Sequence, residues 1–67
     1  SDLTAQEMAV LECVVRGLSN KEISDQLGIS LRTVKFHLTH VLAKLGVADR
    51  TQAAVAAVQR GIIHLDD

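Results

Sequence analysis

The connection between two short helical segments places the strongest limit on the fold of this chain. The segments cover residues 20–27 and 31–45, and only Gly28, Ile29 and Ser30 lie between them. A connection this short makes the helices cross at a steep angle, as in a helix-turn-helix. Ser24, four residues before Gly28, supplies the small side chain that close helix contact needs. An ordinary corner between two helices is the alternative, but the small residue followed by glycine favours the DNA-binding motif.

Capping residues and glycines divide the chain into four helices. A side-chain oxygen before a helix can accept a hydrogen bond from a free backbone N–H, and a Glu three residues later can return one. The predicted capping residues are Thr4 with Glu7, Ser19 with Glu22, Ser30, and Asp49. Glycines suited to a left-handed helix end follow at Gly17, Gly28, Gly46 and Gly61. The helices are therefore predicted at residues 5–16, 20–27, 31–45 and 50–60. We expect an all-α fold, a four-helix bundle with a central helix-turn-helix, forming a single domain over residues 1–67.

Aliphatic side chains must fill the interior, because apolar residues make up 48% of the 67 residues and aromatic residues only 1%. In the first helix we expect the apolar face to comprise Met8, Leu11, Val14 and Val15, which follow the helical period. Cys13, the only cysteine, cannot form an internal disulfide and is expected to be a small buried side chain. No signal peptide or apolar run of membrane-spanning length is present, so we expect a cytoplasmic protein and no membrane partner.

Net charge alone argues against a nucleic-acid partner, because the formal charge is -1 and DNA-binding domains are usually basic. The distribution of charge along the chain changes this argument. Residues 29–48 contain Arg32, Lys35 and Lys44 and no acidic residue. This segment covers the third helix, so the positive charge lies on the helix that follows the short turn.

The third helix has one apolar face and one polar face. With about 100° of rotation per residue, the core face is formed by Val34, Leu38, Val41, Leu42 and Leu45. The opposite face contains Arg32, Lys35, Phe36, Thr39, His40 and Ala43. Phe36 is the only aromatic residue of the chain other than histidine, yet it points about 160° away from the core face. An exposed ring beside basic residues indicates a partner; an incidental exposed Phe, or one folded against the first helix, is the alternative.

The polar face of the third helix suits the major groove of DNA. Lys35 can bind guanine O6 and N7, Phe36 can meet a thymine methyl, and Thr39 can reach a base edge or a phosphate. These three residues are the predicted base contacts. Predicted contacts with the DNA backbone are Asn20, Lys21, Ser30, Arg32, Thr33, His37 and His40. Phosphate is also expected at the start of the second helix, because free N–H groups there attract anions.

No residue set of the chain predicts catalysis or metal binding. A nucleophile, base and acid combination is absent, as is a glycine-rich phosphate loop, so we expect no enzyme and no cofactor. His37 and His40 have the spacing of two metal ligands on a helix, but no third ligand is evident in the sequence. We therefore expect no metal site.

The motifs of the chain resemble the LuxR/FixJ-type (GerE-like) effector domain, found at the C-terminus of bacterial response regulators and quorum-sensing regulators. The resemblance runs from Leu3 to about Ile63. It rests on Leu3-Thr4-x-x-Glu7, Gly17-Leu18-Ser19-Asn20-Lys21-Glu22-Ile23, Ile29-Ser30, Thr33-Val34-Lys35-x-His37, Lys44-Leu45-Gly46-Val47 and Arg50-Thr51-x-Ala53. The chain departs from the family pattern at Gln6, Ser24 and Thr39, where Arg, Ala and Lys are common.

The resemblance implies a third helix that enters the major groove of double-stranded DNA and a fourth helix that forms a homodimer. The expected dimer residues, at helical spacing, are Thr51, Val55, Val58 and Gln59. We expect the chain to be part of a longer protein, with the output domain of a two-component response regulator as the first hypothesis and RNA polymerase as a further possible partner. The output domain of a ligand-sensing quorum regulator is one alternative. A protein–protein interaction module that uses the Phe36 face is the other, and weak dependence on salt would indicate it.

Overall fold

The fold consists of four helices joined by short connections. In the computed structural model, residues 2–65 are described; Ser1, Asp66 and Asp67, which the predicted domain includes, lie outside them. The helices are α1 (Ala5–Val15), α2 (Asn20–Leu27), α3 (Leu31–Leu45) and α4 (Arg50–Gln59). Residues 2–65 contain no strand. The prediction of an all-α fold is confirmed.

Each helix begins where a capping side chain satisfies free backbone N–H groups. Thr4 Oγ1 accepts from Glu7 N at 3.1 Å, and Glu7 Oε1 accepts from Thr4 N at 2.9 Å. The same reciprocal bonds join Ser19 and Glu22 at 3.1 and 2.8 Å. Single caps start the remaining helices: Ser30 accepts from Thr33 N before α3, and Asp49 accepts from Gln52 N before α4. All four predicted caps are confirmed.

Two helices end one residue earlier than predicted. α1 ends at Val15 rather than Arg16, and α4 ends at Gln59 rather than Arg60. In α1 the cause is the pair of hydrogen bonds from Gly17 N to Val14 O and from Leu18 N to Cys13 O. This pattern closes a helix through a left-handed residue and leaves the residue before it half outside the helix. Two equivalent hydrogen bonds close α4, from Gly61 N to Val58 O and from Ile62 N to Ala57 O.

Helix α1 lies at the centre of the bundle and contacts the other three helices. One cluster of buried residues joins α1 to α3, α4 and the C-terminal segment through Leu11, Val41, Leu45, Ala53, Ala57 and Ile63. A second joins α1 to the helix-turn-helix through Val10, Cys13, Val14, Ile23 and Val34. The single apolar face predicted for α1 was therefore incomplete. Val10 is also buried, whereas Met8 and Val15 are only partly buried, and Cys13 is buried as predicted.

The turn between α2 and α3 is fixed by its own hydrogen bonds. Gly28 has φ +67°, in the left-handed region that favours glycine. Ser24 accepts from Ile29 N at 3.2 Å through its carbonyl, and its hydroxyl donates to Ile29 O at 2.5 Å. Ser24 was predicted only as a small side chain that permits close contact. Its hydroxyl also bridges the turn and thereby holds the start of α3 relative to α2.

Candidate nucleic-acid interface

The polar face predicted for α3 is exposed along the whole helix. All six predicted members, Arg32, Lys35, Phe36, Thr39, His40 and Ala43, are exposed to solvent. On the opposite side Val34, Val41 and Leu45 are buried, and Leu38 and Leu42 are partly buried. The predicted division of α3 into a core face and a free face is confirmed. Leu31, at the start of the helix, is also 44% exposed and was not assigned to either face.

Phe36 projects from α3 into solvent with 57% of its surface exposed. It belongs to neither cluster of core residues, so the alternative in which it folds against α1 is wrong. Its ring lies 4.4 Å from the His40 ring and 5.7 Å from the His37 ring, both in edge-to-face orientation. Water-exposed aromatic surface of this size, on a helix with an aliphatic core beneath it, is available to a partner.

The free positive charge of α3 lies in its first two turns. The side chains of Arg32 and Lys35 have no hydrogen-bond or ion-pair partner within residues 2–65. Lys44 differs, because its Nζ lies 2.7 Å from Glu7 Oε1 and 3.1 Å from Asp2 O. All three were assigned from the sequence to one positive segment, residues 29–48. Lys44 must be removed from it, since its charge is neutralised by a carboxylate of α1.

Two further arginines also bind inside the fold. Arg50 donates to Asn20 Oδ1 at 2.6 Å and to Leu18 O at 2.8 Å, which ties α4 to the start of α2. Arg60 donates to Leu45 O at 2.9 Å and satisfies a carbonyl at the end of α3. Neither arginine is free to contribute to a basic surface. The cations available on the helix-turn-helix are thus concentrated near the start of α3.

Glu7 joins the start of α1 to the second half of α3. Its side chain is buried, and Oε1 accepts from both Thr4 N and Lys44 Nζ. The hydrogen bond from Lys44, together with that from the Thr4 backbone, holds the pKa of Glu7 below its ordinary value. The other oxygen, Oε2, lies 4.0 Å from Nδ1 of His40. Sequence reasoning assigned Glu7 only to the helix cap.

The hydroxyl groups on α3 are oriented by bonds within the helix. Thr39 Oγ1 donates to Lys35 O at 2.9 Å, so its outward lone pairs can only accept. Ser30 Oγ donates to Thr33 Oγ1 at 2.9 Å while it caps the helix. Among the predicted contacts, Thr39 therefore presents an acceptor and a methyl group to a partner. The first turn of α3 contains no acidic residue, which leaves the positive end of the helix unopposed.

The start of α2 is less favourable to anions than predicted. Glu22 occupies its first turn, and the hydrogen bonds from Ser19 hold the pKa of this carboxyl below its ordinary value. Its negative charge opposes phosphate. Lys21 is exposed, and its Nζ lies 3.8 Å from Oδ2 of Asp25, one helical turn further along α2. Asn20 accepts from Arg50 through Oδ1, which directs its amide NH₂ away from Arg50.

The predicted dimer residues form an exposed strip on α4. Thr51 and Gln59 are exposed, and Val55 and Val58 are 50% and 39% exposed. Val55 and Val58 border a shallow apolar hollow with Val15, Ala54 and Leu65.

Similarity to known proteins decides the family. Residues 1–57 match the model of the luxR family of bacterial regulatory proteins, GerE. The chain belongs to the luxR family. It is a LuxR-type DNA-binding domain, homologous to the output domains of response regulators.

Relatives of the LuxR-type domain include a transcriptional regulatory protein and a response regulator. The domain is 45% identical over 62 residues to the transcriptional regulatory protein LiaR of Bacillus subtilis, a match that covers 92% of this chain and 29% of LiaR. It is 44% identical over 62 residues to the response regulator protein VraR of Staphylococcus aureus, covering 92% of this chain and 30% of VraR. The chain thus spans less than a third of these relatives.

Solved structures share the fold of the LuxR-type domain. The response regulator ChrA of a haem-sensing two-component system matches with a TM-score of 0.89 and 44% identity, over 94% of this chain and 31% of ChrA. The transcription factor GerE matches with a TM-score of 0.87 and 41% identity, over 98% of both chains. No helix within residues 2–65 is long and apolar enough to span a membrane. Across the same residues, no three His, Cys, Asp or Glu side chains are grouped as a metal site would require.

Proposed function

We propose that this LuxR-type domain reads DNA sequence in the major groove through the first half of α3. The observation that supports this proposal is the exposed, acid-free face on which Arg32, Lys35 and Phe36 lie without core contacts. In a helix-turn-helix, the N-terminal residues of the second helix approach the base edges. Lys44 lies about 18 Å further along the helix than Arg32, where Glu7 already neutralises it.

Each residue of the base-reading face has a proposed role that follows from its chemistry. Lys35 donates to guanine O6 or N7, and Phe36 packs against a thymine methyl. Thr39, whose hydroxyl proton is used within the helix, accepts from a base amino group or contacts a methyl. These roles give the helix one charged, one apolar and one accepting contact, spaced over about one turn.

Contacts to the DNA backbone would orient the domain without reading sequence. Arg32 is the best supported of them, because it is exposed and unpartnered near the positive end of α3. Lys21 and the amide of Asn20 would reach phosphate from α2, with a weaker field because of Glu22. The remaining proposed backbone contacts are Ser30, Thr33 and His37.

We further propose that two copies bind a promoter together, through the exposed strip on α4 with Val55 at its centre. Linking two weak modules raises the overall affinity without new DNA contacts. VraR and ChrA are response regulators, which supports a two-component protein in the bacterial cytoplasm as the parent of this domain. Recruitment or blocking of RNA polymerase is the proposed consequence of promoter binding.

A titration against a pool of random duplexes tests this function. The retained duplexes are sequenced at a low and at a moderate salt concentration. Enrichment of a short motif, present as two related half-sites, with affinity that falls as salt rises, is expected because bound phosphates release counterions. No retention by the folded domain at either salt concentration would reject the proposal. A protein partner on the Phe36 face would then be sought first.

A further inference from the structure

The side chain of Phe36 is held by histidine rather than by the core. More than half of its surface is exposed, and neither core cluster includes it. The nearest ring is that of His40, one turn further along α3, at 4.4 Å between centroids and 64° between planes. Edge-to-face pairs of this geometry are attractive beyond simple burial. The His40 ring is therefore the closest aromatic neighbour of Phe36 within residues 2–65.

His40 also lies near a carboxylate of α1. Its Nδ1 lies 4.0 Å from Glu7 Oε2, while its side chain is 48% exposed. Glu7 is a rigid anchor, because its carboxylate is buried and its Oε1 is bound by Thr4 N at 2.9 Å and by Lys44 Nζ at 2.7 Å. The charged groups that face His40 are thus Glu7 from α1 and, through Glu7, Lys44 from α3.

We propose that His40 is a positioning residue, whose ring between Glu7 and Phe36 holds Phe36 in the orientation that enters the DNA groove. This inference rests on the proposed function of α3. It replaces the direct phosphate contact predicted for His40 with an action through its neighbour. A side chain already held in its bound orientation loses less conformational freedom on binding, which raises affinity without any new contact.

A double-mutant cycle separates the two roles of His40. His40→Ala is measured alone and together with Phe36→Ala, on the duplex selected by the wild-type domain. We expect His40→Ala to weaken binding roughly two- to tenfold in the presence of Phe36, the range of an aromatic pair, and to have almost no effect once Phe36 is absent. An equal loss in both backgrounds would mean that His40 contacts DNA directly and would overturn the proposal. His64→Ala is the control, because it removes an exposed imidazole from outside the four helices.

The free domain provides a second test that needs no DNA. Phe36 is the only Phe, and the chain has neither Trp nor Tyr, so its ring protons and those of three histidines make up the aromatic NMR spectrum. We expect contacts between the Phe36 and His40 rings in the wild type, and Phe36 ring resonances that move toward those of an unstructured Phe in His40→Ala. Unchanged ring resonances in a folded His40→Ala variant would overturn the proposal. If the wild type bound no DNA, the proposed function would be rejected. The aromatic spectra of the free wild type and of His40→Ala would still show whether His40 positions the Phe36 ring.

Discussion

Replacement of Lys35 by Ala should reduce sequence discrimination without reducing stability. The Lys35 side chain is exposed and has no hydrogen-bond or ion-pair partner within residues 2–65, so its removal breaks neither kind of interaction there. Surface changes of this kind alter the free energy of unfolding by about 0.5 kcal/mol or less. A lost contact to a guanine edge costs about 1–3 kcal/mol of binding free energy, or about 5- to 150-fold in affinity for the preferred duplex.

The assay compares the preferred duplex with a duplex in which one base pair is changed. Wild type and Lys35→Ala are titrated against both, and thermal unfolding is followed by circular dichroism. The ratio of the two affinities should fall toward one at a single base pair for Lys35→Ala. In contrast, Lys21→Ala should weaken both duplexes alike and reduce the slope of log affinity against log salt by about one, as expected for a phosphate contact.

Lys44→Ala is the matched control on the same helix. Its ammonium group binds Glu7 and Asp2 O instead of facing solvent freely. Its loss should therefore lower the melting temperature and leave the affinity ratio between the two duplexes unchanged. If Lys35→Ala weakens both duplexes equally, Lys35 contacts phosphate and the assigned base contact is wrong.

Three further predictions concern the rest of the domain. Val55→Glu should abolish cooperative binding to two half-sites in a gel shift and leave binding to a single half-site intact, because Val55 is half exposed; an unfolded variant would instead place Val55 in the core. Leu11→Ala should lower the free energy of unfolding in urea by about 2–5 kcal/mol, since Leu11 is fully buried between helices; a loss below about 1 kcal/mol would contradict this packing. The folded state holds the pKa of Glu7 and Glu22 below their ordinary values. The two ionised carboxylates therefore stabilise the folded state at any pH above the ordinary glutamate pKa of about 4.3. This contribution to the free energy of unfolding is lost as pH falls through the lower pKa of the folded state. The melting temperature of the wild type should fall in that acidic range, and the fall should be smaller in Glu22→Gln. An equal fall in Glu22→Gln and in the wild type would refute the contribution of Glu22.

The helix boundaries were predictable because the signals that set them are local. Thr4 and Glu7 satisfy each other over three residues, and Gly28 adopts its left-handed conformation within the turn itself. A capping box can therefore be read from spacing alone. The one-residue errors at Arg16 and Arg60 arise at half-helical positions, where the closing hydrogen bonds of the glycine decide the end.

The interaction partners of the charged side chains were not predictable from the sequence. Lys35 and Lys44 both add positive charge to residues 29–48, yet only Lys44 meets a carboxylate, 37 residues away in sequence. The bond from Arg50 to Asn20 spans 30 residues. Such contacts depend on how the helices pack, and helical periodicity within one segment contains no information about them.

The burial of α1 shows a second limit of the sequence pattern, which concerns how many faces of a helix are covered. A period of 3.6 residues predicts one apolar stripe, which is correct for a helix with neighbours on one side. α1 has neighbours on several sides, so Val10 and Cys13 are buried together with Leu11 and Val14. The position of a helix within the bundle, and not its own pattern, decides how much of its circumference is covered.

The measurement that tests the central assignment most directly is an NMR titration of the isotope-labelled domain with the duplex that it selects. We expect backbone amide shifts to concentrate in residues 31–39 of α3, with smaller changes around Lys21, and the Lys35 and Phe36 side chains to show contacts to base protons. Shifts concentrated on α4 around Val55, with α3 unchanged when DNA is bound, would refute the assignment of α3 as the DNA-reading helix.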